Sequence, residues 1–108
     1  MPREKRSKTH TVIWSPESRA DMREIWDYAL ATYPVPRAEE FVSNVHDAAE
    51  GLTDLPLLWR VREDLGDNRL LPVPPYFICY RVDGDMIGIV RIIHHKRDIA
   101  ALLGRPRV

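Results

Sequence analysis

Apolar residues at Met22, Ile25, Trp26, Ala29, Leu30 and Tyr33 recur at spacings of three and four, which lays them along one face of a helix. The helix has a start signal: Ser15 can cap free N–H groups, and Pro16 suits the first position, where its missing N–H costs nothing. Glu17 and Asp21 near that end favour the helix dipole. Tyr33-Pro34-Val35-Pro36 interrupts the pattern, because each proline disfavours helical geometry in the residue before it. A second helix starts at about Pro36, with the stripe Ala38, Phe41, Val42, Val45, Ala48, Ala49, Leu52 and Leu55, and Pro56 stops it. Two amphipathic helices across a tight proline turn predict an antiparallel helical hairpin.

On either side the period changes. Thr11-Val12-Ile13-Trp14 is a short β-prone run before the first helix. After the second, Leu57-Leu58-Trp59 is an apolar link, and Arg62 to Asn68 is charged and loop-like. Leu70-Leu71 opens a strand that Pro72, Pro74 and Pro75 must keep short or at an edge. A hairpin then pairs roughly residues 76–82 with 85–93 about an Asp83-Gly84 turn. Residues 97–103 can form a last short helix. The expected fold is α+β, in the order β-α-α-β-β-β-α: an antiparallel sheet with the αα-hairpin packed on one face and a short C-terminal helix.

If Val82 faces Asp85, then Tyr80 faces Ile87 and Ile78 faces Ile89 on one side, while Phe77, Cys79, Val90 and Ile92 gather on the other. Both faces are then apolar, where a sheet covered on one side usually alternates. The helical hairpin can cover one. The other needs the C-terminal segment, a second copy or another protein.

At 108 residues the chain is one domain, expected over 11–108, behind a basic and flexible arm at 1–10. Net charge is zero but uneven: +3 over residues 1–10, +4 over 91–108 and −7 between. A protein that binds nucleic acid over its whole surface would be basic throughout. No apolar run approaches the roughly 20 residues of a membrane span, and no secretory signal is visible. The lone Cys79 reads as a small buried residue. These features point to the cytoplasm.

Candidate chemistry is concentrated at the end of the last strand. His94, His95, Lys96 and Arg97, with Arg69, Arg81 and Arg91, could gather as an anion-binding or RNA-cleaving cluster. Metal-free RNA cleavage needs a base, an acid and cations for the phosphorane, roles that histidine and arginine can fill. The plainer reading makes Arg97-Asp98 capping or salt-bridging residues at a helix start and His94 a hydrogen-bonded histidine at a strand end. A zinc site is not expected, since neighbours on a strand point to opposite faces and there is one cysteine. No glycine-rich phosphate loop is present, and no metal or cofactor is expected. His10 and His46 lie apart, and His46 falls on the polar side of the second helix. Trp26 belongs to the packed face of the first helix, whereas Trp14 and Trp59 border loops and suit partner contact.

In order along the chain, several pieces resemble the ParE toxins of bacterial type II toxin–antitoxin modules, within the RelE/ParE superfamily. Trp14-Ser15-Pro16-Glu17 leading to Asp21 and Ile25-Trp26-Asp27-Tyr28 resembles the family's first helix. Arg69-Leu70-Leu71-Pro72-Val73 followed by Tyr76, Ile78 and Tyr80-Arg81 resembles its central strands. Val90-Arg91-Ile92-Ile93-His94 followed by Arg97-Asp98-Ile99 is similar to its closing motif. The resemblance runs from Val12 to Leu103.

It implies a RelE/ParE-like fold and a toxin neutralised by a ParD-like antitoxin, whose ribbon-helix-helix half binds operator DNA. It also implies inhibition of DNA gyrase without catalysis by this chain. The alternative is a ribosome-dependent mRNA endoribonuclease of RelE type using His94 and His95 with Arg69, Arg81 and Arg91. RelE-type nucleases are typically strongly basic and often use a tyrosine near the C-terminus, and no tyrosine follows Tyr80 here. The expected target contacts are therefore His94, Lys96 and Arg97. The expected antitoxin contacts are Trp14, Trp59, Tyr76, Ile78, Tyr80, Ile87 and Ile89.

Overall fold

The computed structural model describes residues 10–103, so all but His10 of the expected basic arm lies outside the described residues. Strand β1, Thr11–Trp14, leads directly into helix α1, Pro16–Thr32, and helix α2, Val35–Glu50, follows after two residues. Ser15 caps α1 as expected: its Oγ accepts the Ser18 backbone N–H at 2.9 Å. The face that α1 buries is Ser18, Asp21, Ile25 and Ala29. This stripe is rotated from the one read in the sequence, so Leu30 is exposed and Trp26 is only half-buried, outside the central apolar cluster. α2 buries Ala38, Val45 and Ala49 and continues through a tight turn, Gly51–Thr53, that buries Leu52. Leu55, assigned to the same stripe, is exposed because the chain has already left the helix.

Four more strands complete the sheet: β2 (Val61–Arg62), β3 (Asn68–Val73), β4 (Tyr76–Asp83) and β5 (Met86–His94), before helix α3, Ile99–Leu103. The strand order is β1-β5-β4-β3-β2, with β1 parallel to β5 and all other pairs antiparallel. The short β2 straddles the start of the stretch read as a loop, Arg62 to Asn68, and pairs only with Asn68 and Arg69. Pro72 is tolerated in β3 because that strand's outer edge is unpaired beyond Arg69.

The β4–β5 register differs from expectation in two ways. Asp83 pairs with Met86, so the turn is Gly84-Asp85, with a positive φ of 60° at Gly84 alone, as a type II′ hairpin requires. Second, Tyr80 pairs with Ile89 but Cys79 pairs with Arg91, which leaves Val90 as an extra residue in a β-bulge. Tyr80 therefore faces Ile89 rather than Ile87, and Ile78 faces Ile92 rather than Ile89. The bulge returns Ile92 to the helix-covered side, where it joins Ile78, Tyr80, Ile87 and Ile89 in one core.

That bulge has a cause far away in sequence. β1 pairs with β5 only as far as Ile89, and beyond it the outer edge of β5 would be bare. The start of α1 takes over. Ser15 Oγ donates to the Val90 carbonyl at 2.8 Å, and Asp21 Oδ2 accepts the Ile92 N–H at 2.9 Å. Two side chains thus satisfy backbone groups that a longer β1 would have paired. On the other side of the sheet Cys79 and Ile93 are also buried. There α3 brings Leu102 and Leu103 to a groove over Gly88 and Val90, so the chain's own C-terminal segment covers part of the second apolar face.

Candidate functional site

β5 ends in a tight hydrogen-bonded corner. His95 N donates to the Pro75 carbonyl at 2.8 Å, Arg97 N to the His94 carbonyl at 2.9 Å, and Lys96 N to His94 Nδ1 at 3.1 Å. The last contact leaves the neutral ring's proton on Nε2. The His94 ring meets the edge of Tyr76 at 5.4 Å between centroids and stacks on His95 at 4.7 Å. Partial burial, and then the nearby His95 and Lys96, push the His94 pKa below the usual histidine value. Asp98 Oδ1 accepts the Ala101 N–H at 3.1 Å, so this acid caps α3, as the plainer sequence reading had it. Beside this corner, Glu24, Tyr28, Tyr76, His94 and Arg97 line a cleft of about 200 Å³ whose wall includes Asp21.

The three arginines do not join the histidines. Arg81 pairs with Gly88 while His94 pairs with Tyr76, five residues along β4, or about 17 Å at the rise of a strand. The Arg81 guanidinium donates to the Gly66 carbonyl at 2.7 Å. Arg69 donates to the Trp59 carbonyl at 2.6 Å. Arg91 makes a two-point pair with Asp21, Nε to Oδ2 at 2.8 Å and the terminal nitrogen to Oδ1 at 3.0 Å. Each of the three secures a distant part of the chain. Among the described residues no group of acids, histidines and cysteine could hold a metal ion.

The expected antitoxin contacts separate into two sets. Tyr76, Ile78, Tyr80, Ile87 and Ile89 are buried in the core between sheet and helices, where a partner meets them only if the helical hairpin moves. Trp14 and Trp59 are half-buried and face outward in part. Trp14 donates from Nε1 to Glu50 Oε2 at 2.9 Å and stacks flat on His46, with centroids 5.5 Å apart. His46, exposed on the polar side of α2 as expected, is also half of an aromatic pair joining β1 to α2.

Two features escaped the sequence reading. Asp21 was taken for a dipole-favouring acid, yet it is the buried hub of the β5 edge. The available signal was its phase: Ser18 and Asp21 repeat in step with Ile25 and Ala29. The second is the run from Leu55 to Val61, which exposes Leu55, Leu57, Leu58 and Val61. The sequence marks Leu57-Leu58-Trp59 as an apolar link, but no periodicity there says which side chains face outward.

The comparisons with known proteins agree with this architecture. The family described as the ParE toxin of type II toxin–antitoxin system, parDE, matches residues 12–99. Toxin ParE1 of Mycobacterium tuberculosis is 28% identical over 89 residues, covering 81% of this chain and 91% of that protein. Toxin RelE2 of Caulobacter vibrioides is 33% identical over 86 residues, covering 80% of this chain and 96% of that protein. A chain of the chromosomal ParDE system from P. aeruginosa superposes with a TM-score of 0.70 at 24% identity, over 82% of this chain and 98% of that one, and so shares the fold. Sequence and architecture together place the chain in the ParE toxin family of type II toxin–antitoxin systems.

Proposed function

We propose that this toxin acts by binding and inhibiting DNA gyrase, without catalysis of its own, and that a ParD-like antitoxin with a ribbon-helix-helix DNA-binding half holds it inactive. The observation that carries the reading is the dispersal of Arg69, Arg81 and Arg91, each committed to a backbone carbonyl or to Asp21. A phosphorane needs cations converging on one point. His94 offers only an Nε2–H, since its Nδ1 is occupied by the Lys96 N–H, so it is poorly placed as a general base. His94, Lys96 and Arg97 then serve as a recognition corner for the target. The test is a supercoiling assay with purified toxin and gyrase. Inhibition supports the reading, and intact supercoiling with cleavage of ribosome-bound mRNA overturns it.

The nuclease reading keeps one observation in its favour. His94 and His95 stack at 4.7 Å, and desolvation, with His95 and Lys96 nearby, shifts His94 toward its neutral form. Full toxicity of the double variant His94→Ala, His95→Ala would remove it.

A further inference from the structure

Glu24 on α1 and Arg97 beyond β5 line the same cleft, of about 200 Å³, yet neither makes an ion pair with the other or with any other described residue. Both side chains are exposed. The remaining charge in the cleft wall, Asp21, is already committed to Arg91 and the Ile92 N–H. The cleft therefore holds one uncompensated carboxylate and one uncompensated guanidinium.

The β5 edge adds two backbone groups. Beyond Ile89 no strand lies beside that edge. Ile92 N points outward, since Asp21 takes it, while His95 N turns inward to the Pro75 carbonyl. By the alternation of a strand, the Ile92 carbonyl and the His94 N–H also point outward, on the side of Asp21. No described residue bonds either group. Ile92 and His94 both line the cleft, so an acceptor and a donor stand beside the two charges.

This stub of edge is too short for an added strand. Ser15 and Asp21 occupy the edge before it, and Arg97 N closes a turn onto the His94 carbonyl after it. What fits is a small molecule carrying both charges. The apolar part of the wall is Ile25, Ile92, Tyr28 and Tyr76. Ile25 and Ile92 are buried beneath, and Tyr28 stands 57% exposed at the rim.

We propose that this cleft binds a free α-amino acid with an apolar side chain. Its ammonium lies between the Glu24 carboxylate and the Ile92 carbonyl, and its carboxylate takes Arg97 and the His94 N–H. Its side chain rests on Ile25, Tyr28 and Tyr76, a small apolar wall among a few convergent polar groups. Binding itself is independent of the gyrase reading. One consequence rests on that reading: Arg97 is an expected target contact, so an occupied cleft withdraws it from gyrase.

The test is a ligand-detected NMR titration of the purified full chain with L-leucine and L-phenylalanine. Saturable binding of at least one in the micromolar to millimolar range is expected. N-acetyl-L-leucine lacks the cation and L-leucine amide lacks the anion. Each should bind at least about 10-fold more weakly than the parent amino acid, the scale of one lost charge-assisted hydrogen bond. Glu24→Gln and Arg97→Gln, both at exposed positions, should weaken the amino acid by a similar factor. Glu39→Gln, exposed on α2, should bind as the parent does. Unchanged urea midpoints of the variants exclude misfolding as the cause. No saturable binding by the parent chain overturns the proposal, as does binding that survives both Glu24→Gln and Arg97→Gln. Equal binding of the acetylated or amidated analogue also overturns it, because the cleft would then read a single charge. Binding that leaves gyrase inhibition unchanged removes only the consequence for the target, and failed inhibition by the ligand-free chain removes the gyrase reading while the site stands.

Discussion

The carboxylate of Asp21 on α1 clasps Arg91 on β5 through two hydrogen bonds, at 2.8 and 3.0 Å, and takes the Ile92 backbone N–H as a third at 2.9 Å. Both side chains are largely withdrawn from water, at 11% and 25% exposure. Removing one member of such a pair leaves the other uncompensated. Asp21→Ala should cost about 3 kcal/mol, toward the low end for a buried pair because Arg91 keeps some solvent. Arg91→Lys retains charge but not the planar fork, and should cost about 1 kcal/mol. Urea unfolding midpoints of the two variants measure the difference.

The Asp21 contact also explains which parts of this fold were legible in advance. Both helices announce themselves locally, through Ser15-Pro16 at one start and the Pro34 and Pro36 break between them. Residues 76–94 read as a hairpin because β-prone runs flank Gly84. Their register did not, since the Val90 bulge is imposed by Ser15 and Asp21, about seventy residues earlier, and no local pattern encodes that. The histidine corner was readable as a cluster of residue types. The separation of its arginines was not, because their partners are backbone carbonyls of Trp59 and Gly66, which sequence leaves anonymous.

Gly66 should tolerate no side chain. Its φ is +72°, and a Cβ would sit 2.6 Å from the Leu103 carbonyl oxygen of α3. Gly66→Ala combines left-handed strain with a backbone clash, for an expected cost of about 2 kcal/mol or more. Gly88→Ala meets no atom within 4 Å and has no such φ, so it should stay within about 1 kcal/mol of the parent. Denaturation of the two variants side by side checks the contrast.

Cys79 is wholly buried, and desolvation pushes its thiol pKa up to about 12. A thiol that stays protonated is a poor nucleophile. In the folded protein at pH 8 it should not react with an aromatic disulfide reagent, and labelling should follow global unfolding. Fast labelling of native protein would contradict the burial of Cys79. Cys79→Ser should lose about 1–3 kcal/mol by burying a hydroxyl in a site shaped for sulfur.

His94 gives the domain a pH dependence whose sign follows from its environment. Desolvation, then His95 and Lys96, lower its folded pKa, so the unfolded chain binds the proton more readily. Its contribution is complete above the unfolded value of about 6.5 and is lost as pH falls through the lower folded value. Stability should therefore decline on acidification from pH 7 toward 5, and His94→Gln should flatten that decline. The groups facing the ring are His95, Lys96 and Tyr76, with Asp21, Glu24, Tyr28 and Arg97 lining the same cleft. His95 is the other histidine of this corner and stacks on the ring, so His95→Gln is the necessary companion variant. Urea midpoints at pH 7, 6 and 5 for the parent and both variants separate the two rings. A parent decline that His94→Gln leaves intact and His95→Gln abolishes would assign the effect to His95 instead.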